Sequence, residues 1–141
     1  MRKIFLILYP LTLSACSLWS TSSEPIDQLE QGERAYLEGK LDQAAGHFTE
    51  LIEAHPEYSY GYFKLGNISL QRGLNTQAAA YFRQAIQNHP EDPRYWNNLV
   101  IAELRQAKTS LKQAKQAFAN QPEKLKTFHR LNALIDTQRQ P

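Results

Sequence analysis

The sequence is poor in the features that define several common protein classes. It has one cysteine, Cys16, among its 141 residues, so no disulfide bond can form within the chain. Its longest apolar run, Ile4 to Leu13, has ten residues, whereas a helix needs about 20 to cross a bilayer. No strand signal of any length appears. These absences argue against a disulfide-stabilised domain, a membrane-spanning helix and a β fold.

The sequence also lacks the motifs that carry chemistry. No dinucleotide-binding, P-loop, serine-hydrolase or zinc-protease motif occurs. The four histidines are not spaced as metal ligands, and His55 and His89 each precede a proline, which favours a turn role over ligation. The sequence therefore predicts no enzyme, catalytic residue, metal, cofactor or small-molecule substrate. A divergent hydrolase is the alternative, and it would require a clustered polar pocket.

The N-terminal residues have the pattern of an export signal. Arg2 and Lys3 precede the short apolar run, and small residues precede Cys16, as at a cleavage site. This pattern predicts a signal peptide over residues 1–15 and a tether over residues 16–24. The alternative is an ordinary buried cysteine in a cleaved or anchored segment.

The Leu13-Ser14-Ala15-Cys16 tetrad resembles a bacterial lipobox. The resemblance implies lipidation of Cys16 by three acyl chains, palmitate among them, and several chains make a lasting anchor. It implies a lipid-anchored protein of the cell envelope. In an envelope with two membranes, Ser17 after the cysteine implies the outer membrane, facing the periplasm.

The sequence from Gly39 to Pro90 repeats itself. Residues 39–56 and 73–90 are identical at 8 of 18 positions, each pair 34 residues apart. A fixed period of this length is typical of stacked helix pairs. In the first unit Ala44 and Phe48 are four residues apart and share a helical face, as Ala78 and Phe82 do in the second. Gly39 suits a helix-ending turn, and Pro56 ends the second helix.

This pattern resembles the tetratricopeptide repeat (TPR) family. The second unit carries the family motif at Tyr62, Leu65, Gly66, Gly73, Ala78, Phe82, Ala85 and Pro90. The first unit has Gln28 and Gln31 at the opening aromatic and Leu positions. The third has Val100 at a Gly position and Lys112 at an Ala position, and Ala114 and Phe118 restore the Ala-x3-Phe spacing two residues late. Terminal units of an array are expected to be atypical.

The resemblance implies an all-α TPR-type solenoid of about three antiparallel helix pairs plus a C-terminal capping helix. The predicted TPR domain spans residues 25–141, with repeats near 25–58, 59–92 and 93–121 and the capping helix near 122–137. The third repeat is expected to form helices at 93–106 and 110–119, with a turn at Ala107.

In TPR proteins the first helix of each pair lines a concave groove that binds a protein or peptide. Carried over to this sequence, the groove positions that we take as partner-binding are Tyr60, Phe63, Lys64, Asn67, Gln71, Arg94, Asn97, Asn98, Ile101 and Arg105. Aromatic side chains beside amides and cations suit an extended peptide or a helix. The first unit offers Glu33 and Tyr36 at the same positions. Packing between repeats is the alternative role for Phe63, and an Asn–Lys clamp on a peptide carboxylate is matched only in part.

Charge divides the chain. Residues 16–60 carry nine acidic and two basic side chains, whereas residues 61–141 carry five acidic and twelve basic ones. Arg105, Lys108, Lys112 and Lys115 fall on one helical side if the helix is smooth at Ala107. They indicate either a docking face for an anionic partner or a solvated polar face. Nucleic acid is not an expected partner.

These observations predict a lipid-anchored TPR adaptor, or scaffold, that binds a protein or peptide partner in the cell envelope. Lipid-anchored TPR proteins of this kind assist assembly of pili, secretion, outer-membrane or peptidoglycan machinery, and we expect such a role. The alternative is a structural envelope protein that docks anionic lipid or cell wall through its basic C-terminal half.

Overall fold

The computed structural model describes residues 25–137, and all regular structure in that range is helical. The predicted signal peptide, the tether and Cys16 lie outside the described residues. The helices are α1 (Pro25–Leu37), α2 (Leu41–Ala54), α3 (Ser59–Gln71), α4 (Asn75–Asn88), α5 (Pro93–Ala117) and α6 (Pro122–Thr137). The prediction of an all-α fold is confirmed for these residues. Within residues 25–137, none of these helices combines the length and the apolar character that crossing a bilayer requires.

The first two helix pairs turn at the repeated glycines. Gly39 and Gly73 both adopt a φ of 73°, which is the left-handed conformation that glycine adopts without steric cost. The residue after each glycine donates its backbone N–H across the helix end, from Lys40 to Ala35 O and from Leu74 to Ser69 O, both at 2.9 Å. This pattern closes the helix ends and reverses the chain.

Each pair is packed around a phenylalanine of its second helix. Phe48 and Phe82 are fully buried, as are Ala44 and Ala78 one turn earlier. A Cβ atom added to Gly32 would lie only 2.9 Å from the Phe48 ring. A Cβ atom added to Gly66 would clash with the Phe82 ring in the same way. The family glycine therefore makes room for the ring, and close packing of the two helices depends on it.

The third unit differs from the prediction. α5 runs without a break from Pro93 to Ala117, so the predicted turn at Ala107 between helices 93–106 and 110–119 is wrong. Ala107 stands 34 residues after Gly73, where a glycine with positive φ would be needed. Alanine is the best helix former and avoids the left-handed conformation, so the helix continues.

α6 packs antiparallel to the second half of α5. Phe118 at the end of α5 stacks on Phe128 of α6, with ring centroids 5.5 Å apart. Lys108 near the middle of α5 lies 2.8 Å from Asp136 near the end of α6. The helix predicted near 122–137 is present. Because α5 is one helix, α6 is the second helix of the third pair, whereas the prediction made it a capping helix after that pair.

Candidate functional site

The first helices of the three pairs, α1, α3 and α5, lie side by side and are joined by side-chain pairs that follow the repeat. Lys64 Nζ of α3 donates to Glu33 Oε2 of α1 at 3.0 Å. Asn98 Nδ2 of α5 donates to Asn67 Oδ1 of α3 at 2.7 Å. Both pairs are separated by 31 residues, and a shift of 34 converts the first pair into the second. We call this surface the A-helix face, formed by the side chains of α1, α3 and α5 at these junctions.

A second pair of contacts repeats in the same way. Gln71 Nε2 donates to the Tyr36 hydroxyl at 2.6 Å, and one Arg105 guanidinium nitrogen donates to the backbone carbonyl of Leu70 at 3.2 Å. These partners are each 35 residues apart. Two rows of polar contacts thus run across the helices in register, which fixes how the successive units are oriented.

Lys64 is buried rather than presented to a ligand. It is 6% exposed, and its Nζ lies 3.8 Å from the centroid of the Tyr36 ring in addition to its bond with Glu33. The ring face and the carboxylate together compensate the buried charge. The exposed Lys component of a carboxylate clamp is therefore not present at this position.

Tyr60 lies at the end of the same junction. Burial raises the pKa of the Tyr60 phenol to about 12, and the nearby Glu33 carboxylate adds to the increase. The phenol thus remains protonated and able to donate a hydrogen bond across the physiological pH range.

Phe63 belongs partly to the core. Its ring lies 5.1 Å from Tyr95, 5.9 Å from Tyr60 and 6.1 Å from Phe82, measured between centroids. The side chain is half-buried and packs against the cluster that includes Phe82. Phe63 therefore joins the second and third units, and only part of its side chain is open to a partner.

Arg94 is held at the start of α5 by Asp92. Asp92 caps the helix by accepting from Arg94 N at 2.9 Å, and its carboxylate binds the Arg94 guanidinium at 2.6–3.0 Å. The hydrogen bond from Arg94 lowers the pKa of Asp92, and the same bond raises the pKa of Arg94. The guanidinium also lies 5.4 Å from the centroid of Phe63. Asp92 was absent from the predicted site, although Asp followed by Pro93 is a helix-start signal.

The ten predicted groove residues differ in exposure. Gln71, Arg94, Asn97 and Arg105 are exposed. Tyr60, Phe63, Asn67, Asn98 and Ile101 are half-buried, and only Lys64 is buried. Asn97 Nδ2 also donates to Asn98 Oδ1 at 3.2 Å. The A-helix face thus combines exposed amides and guanidinium groups with the edges of aromatic rings, and whether a partner binds there stays a prediction.

The basic residues of α5 form a second surface feature. Because α5 is continuous, Lys108, Lys112 and Lys115 lie on one side of a single helix and border a depression of about 430 Å³ together with Asn132 of α6. Arg105 points instead to Leu70 O, and Lys108 pairs with Asp136. Lys112 is exposed, and Lys115 is half-buried.

Comparison with known proteins identifies the family. A sequence profile of the tetratricopeptide repeat family matches residues 29–93 and again residues 63–119, which together cover more than half of the chain. The chain therefore belongs to the tetratricopeptide repeat family. Domains of this family and fold typically serve protein–protein interaction and not catalysis. In residues 25–137 no group of three or more His, Cys, Asp or Glu side chains is placed to hold a metal ion.

Among solved structures, the TPR2B-domain:pHsp70 complex of yeast Sti1 contains a chain with the same fold. The TM-score is 0.57, the sequence identity is 20%, and the match covers 82% of this chain and 98% of that chain. None of the curated proteins compared matches this chain. At this identity the likeness to the yeast domain shows the fold alone.

Proposed function

We propose that this protein is a lipid-anchored adaptor that binds an extended segment of a partner protein along its A-helix face. The observation that carries the proposal is the register of Glu33–Lys64 and Asn67–Asn98, which aligns α1, α3 and α5 into one surface. Such a surface crosses three helices and has exposed amides at Gln71 and Asn97. Amides pair with the backbone of an extended chain, and aromatic edges contact its side chains.

The yeast structural neighbour supports a peptide or protein ligand. Its title describes a TPR domain in complex with pHsp70. Since the likeness is one of fold, it supports the kind of interaction and leaves the partner's identity to experiment. The buried Lys64 argues against a charged clamp at that position, so we propose recognition along the length of a segment.

The proposed location is the cell envelope, with the acyl chains on Cys16 as the anchor and an outer-membrane position facing the periplasm. There the adaptor would assist assembly of an envelope complex. The support is the sequence pattern of residues 1–16. Fatty-acid labelling and membrane fractionation of a Cys16→Ala variant test the anchor: the label and the membrane association should both be lost. A variant that is still labelled would refute it.

The binding proposal is tested by crosslinking and affinity capture from membranes. The Asn67→Ala/Asn98→Ala variant removes the amide pair at the α3–α5 junction, and Gln84→Ala/Gln87→Ala on α4 is the matched control. We expect one envelope protein to be captured by the wild type and the control and lost with the Asn variant. Capture of the same set by all three would remove the A-helix face as the working surface.

A second candidate function follows from the basic side of α5. Lys112 and Lys115 border the same depression and could contact anionic lipid or cell wall. Binding to anionic vesicles should then fall with added salt and with Lys112→Glu/Lys115→Glu, whereas neutral vesicles should not bind. Binding that is unaffected by salt and by these changes would eliminate this candidate.

A further inference from the structure

The depression between α5 and α6 is bordered by three lysines of α5. Lys108, Lys112 and Lys115 line it together with Asn132 of α6, and we call it the lysine depression. Lys108 is paired with the Asp136 carboxylate, 2.8 Å away. Within residues 25–137, neither Lys112 nor Lys115 forms an ion pair. Two of the three lysines are therefore left without a carboxylate.

Unpaired lysines stand out because the rest of the chain pairs its cations. From residue 34 to residue 94, each of the six Lys and Arg side chains contacts a carboxylate: Arg34, Lys40, Lys64, Arg72, Arg83 and Arg94. The three lysines of the depression instead lie four and three residues apart on one helix, where like charges destabilise the helix. Helix stability alone therefore does not account for the cluster.

The charge balance of the lysine depression indicates the charge of its ligand. Three ammonium groups and the Asp136 carboxylate leave an excess of two positive charges. A phosphomonoester carries a charge of about −1.5 to −2 at neutral pH, whereas a carboxylate or a phosphodiester carries one negative charge. Lys115 is also half-buried, so its attraction for an anion is screened less by water.

The kind of cation also favours phosphate. Within the described residues, no arginine borders the depression. The flat guanidinium fork matches a planar carboxylate, whereas lysine ammonium groups are point charges with rotatable donors. Several ammonium groups can thus share the oxygens of a tetrahedral anion from different directions. The volume of about 430 Å³ is in the range of small-molecule sites, about 300–1,000 Å³.

We propose that the lysine depression binds a phosphomonoester dianion, with Lys112 and Lys115 as its main contacts. The proposal rests on the second candidate function and names the chemistry that the basic side of α5 recognises. A lipid headgroup and a small soluble phosphate ester both carry this group. The site is separate from the A-helix face, so it is independent of the proposed peptide binding.

Titration of the full chain in a neutral detergent tests the site without a membrane. Methyl phosphate and dimethyl phosphate are the probes, followed by calorimetry in low salt at about pH 8, where the monoester is a dianion. We expect one methyl phosphate per chain and at least about tenfold weaker binding of dimethyl phosphate. Lys112→Gln/Lys115→Gln should weaken the binding of methyl phosphate at least about tenfold.

Two further variants separate the site from general charge and from misfolding. Lys124→Gln/Lys126→Gln on α6 removes the same charge outside the depression and should leave the affinity for methyl phosphate nearly unchanged. Asp136→Asn removes the carboxylate that offsets the lysines, so the affinity should increase. A loss of folding cannot produce that increase. Circular dichroism should show equal helix content in all variants.

Detergent micelles that contain phosphatidic acid or phosphatidylglycerol identify the source of the phosphate. Tighter binding of phosphatidic acid than of methyl phosphate would assign the site to a lipid headgroup, and equal binding would assign it to a soluble ester. Equal affinity for the monoester and the diester, no binding by the wild type, or binding unaffected by Lys112→Gln/Lys115→Gln would each overturn the proposal. If methyl phosphate binds as expected but anionic vesicles do not, the second candidate function alone fails.

Discussion

Asn98 Nδ2 bonds to Asn67 Oδ1 at 2.7 Å in the position where, one repeat earlier, Lys64 bonds to Glu33. The two junctions of the array thus use the same positions with different chemistry, an ion pair between the first two units and an amide pair between the next two. Because the charged pair is largely buried and the amide pair is half-buried, both fix the orientation of the repeats more than they add to surface charge.

Removal of the Glu33 carboxylate tests the first junction. Glu33→Ala leaves the buried Lys64 ammonium with aromatic rings, Tyr36 the nearest, and no carboxylate. We expect a loss of about 1.5–3 kcal/mol in the free energy of unfolding. Urea denaturation measures it. Glu30→Ala is the control, since Glu30 lies three residues before Glu33 on the same helix and pairs with Arg34. Both of these side chains are more than two-thirds exposed. That control should cost less than about 1 kcal/mol, and equal losses would contradict a buried junction.

Two glycine substitutions should have opposite effects. Gly66→Ala forces a methyl group against the fully buried Phe82 ring, and overpacking of this kind costs about 1–3 kcal/mol. Gly46→Ala places its methyl in open space on α2 and should stabilise by about 1 kcal/mol through helix propensity. Thermal melts of the two variants measure the difference. A Gly66→Ala protein as stable as the wild type would show that the helices are not in close contact there.

The Asp92–Arg94 contact predicts that the free energy of unfolding depends on pH in the acid range. The Arg94 hydrogen bond lowers the pKa of Asp92 in the folded protein, so its contribution is present above the unfolded pKa of about 3.9 and is lost as the pH falls through the folded value. Asp92→Asn keeps a capping side chain without the charge. Between pH 5 and pH 2, the variant's free energy of unfolding should therefore decline less than that of the wild type. Parallel curves would contradict the contact.

The continuity of α5 can be measured as a distance. Spin labels at Asn97 and Gln116 in a Cys16→Ser background should lie about 28 Å apart along a continuous helix. A turn at Ala107 would bring them to about 10 Å, the separation of packed helices. Dilution with unlabelled protein removes distances between copies. Ala107→Gly, which restores the residue type found at Gly39 and Gly73, is the variant most able to shift the distribution toward the shorter distance.

The sequence was most informative where each repeat position has one physical requirement. The glycines at 39 and 73 and the buried Phe48 and Phe82 could be predicted because turn geometry and core packing allow few alternatives. The turn at Ala107 was predicted from the period alone, and the residue itself favours a helix. This error shows that the repeat period does not predict a turn where the turn glycine is replaced by a residue that favours the helix.

The candidate site was predictable by position but not by exposure. Family positions place all ten residues on α3 and α5, whereas only tertiary contacts show that Lys64 is enclosed by Glu33 and Tyr36. The partner of a side chain 31 residues away in the sequence depends on how the units pack. The role of Asp92 as the cap that holds Arg94 could have been found from the Asp-Pro pair at the start of α5.

Site-specific photo-crosslinking tests the central claim, that a partner protein binds on the A-helix face. A photoreactive residue at Gln71 or Asn97, both exposed on that face, is compared with one at Gln87, which is exposed on α4. The account predicts that one partner protein crosslinks from Gln71 and Asn97 and not from Gln87. Crosslinking of the same protein from Gln87 alone, or equally from all three positions, would contradict it.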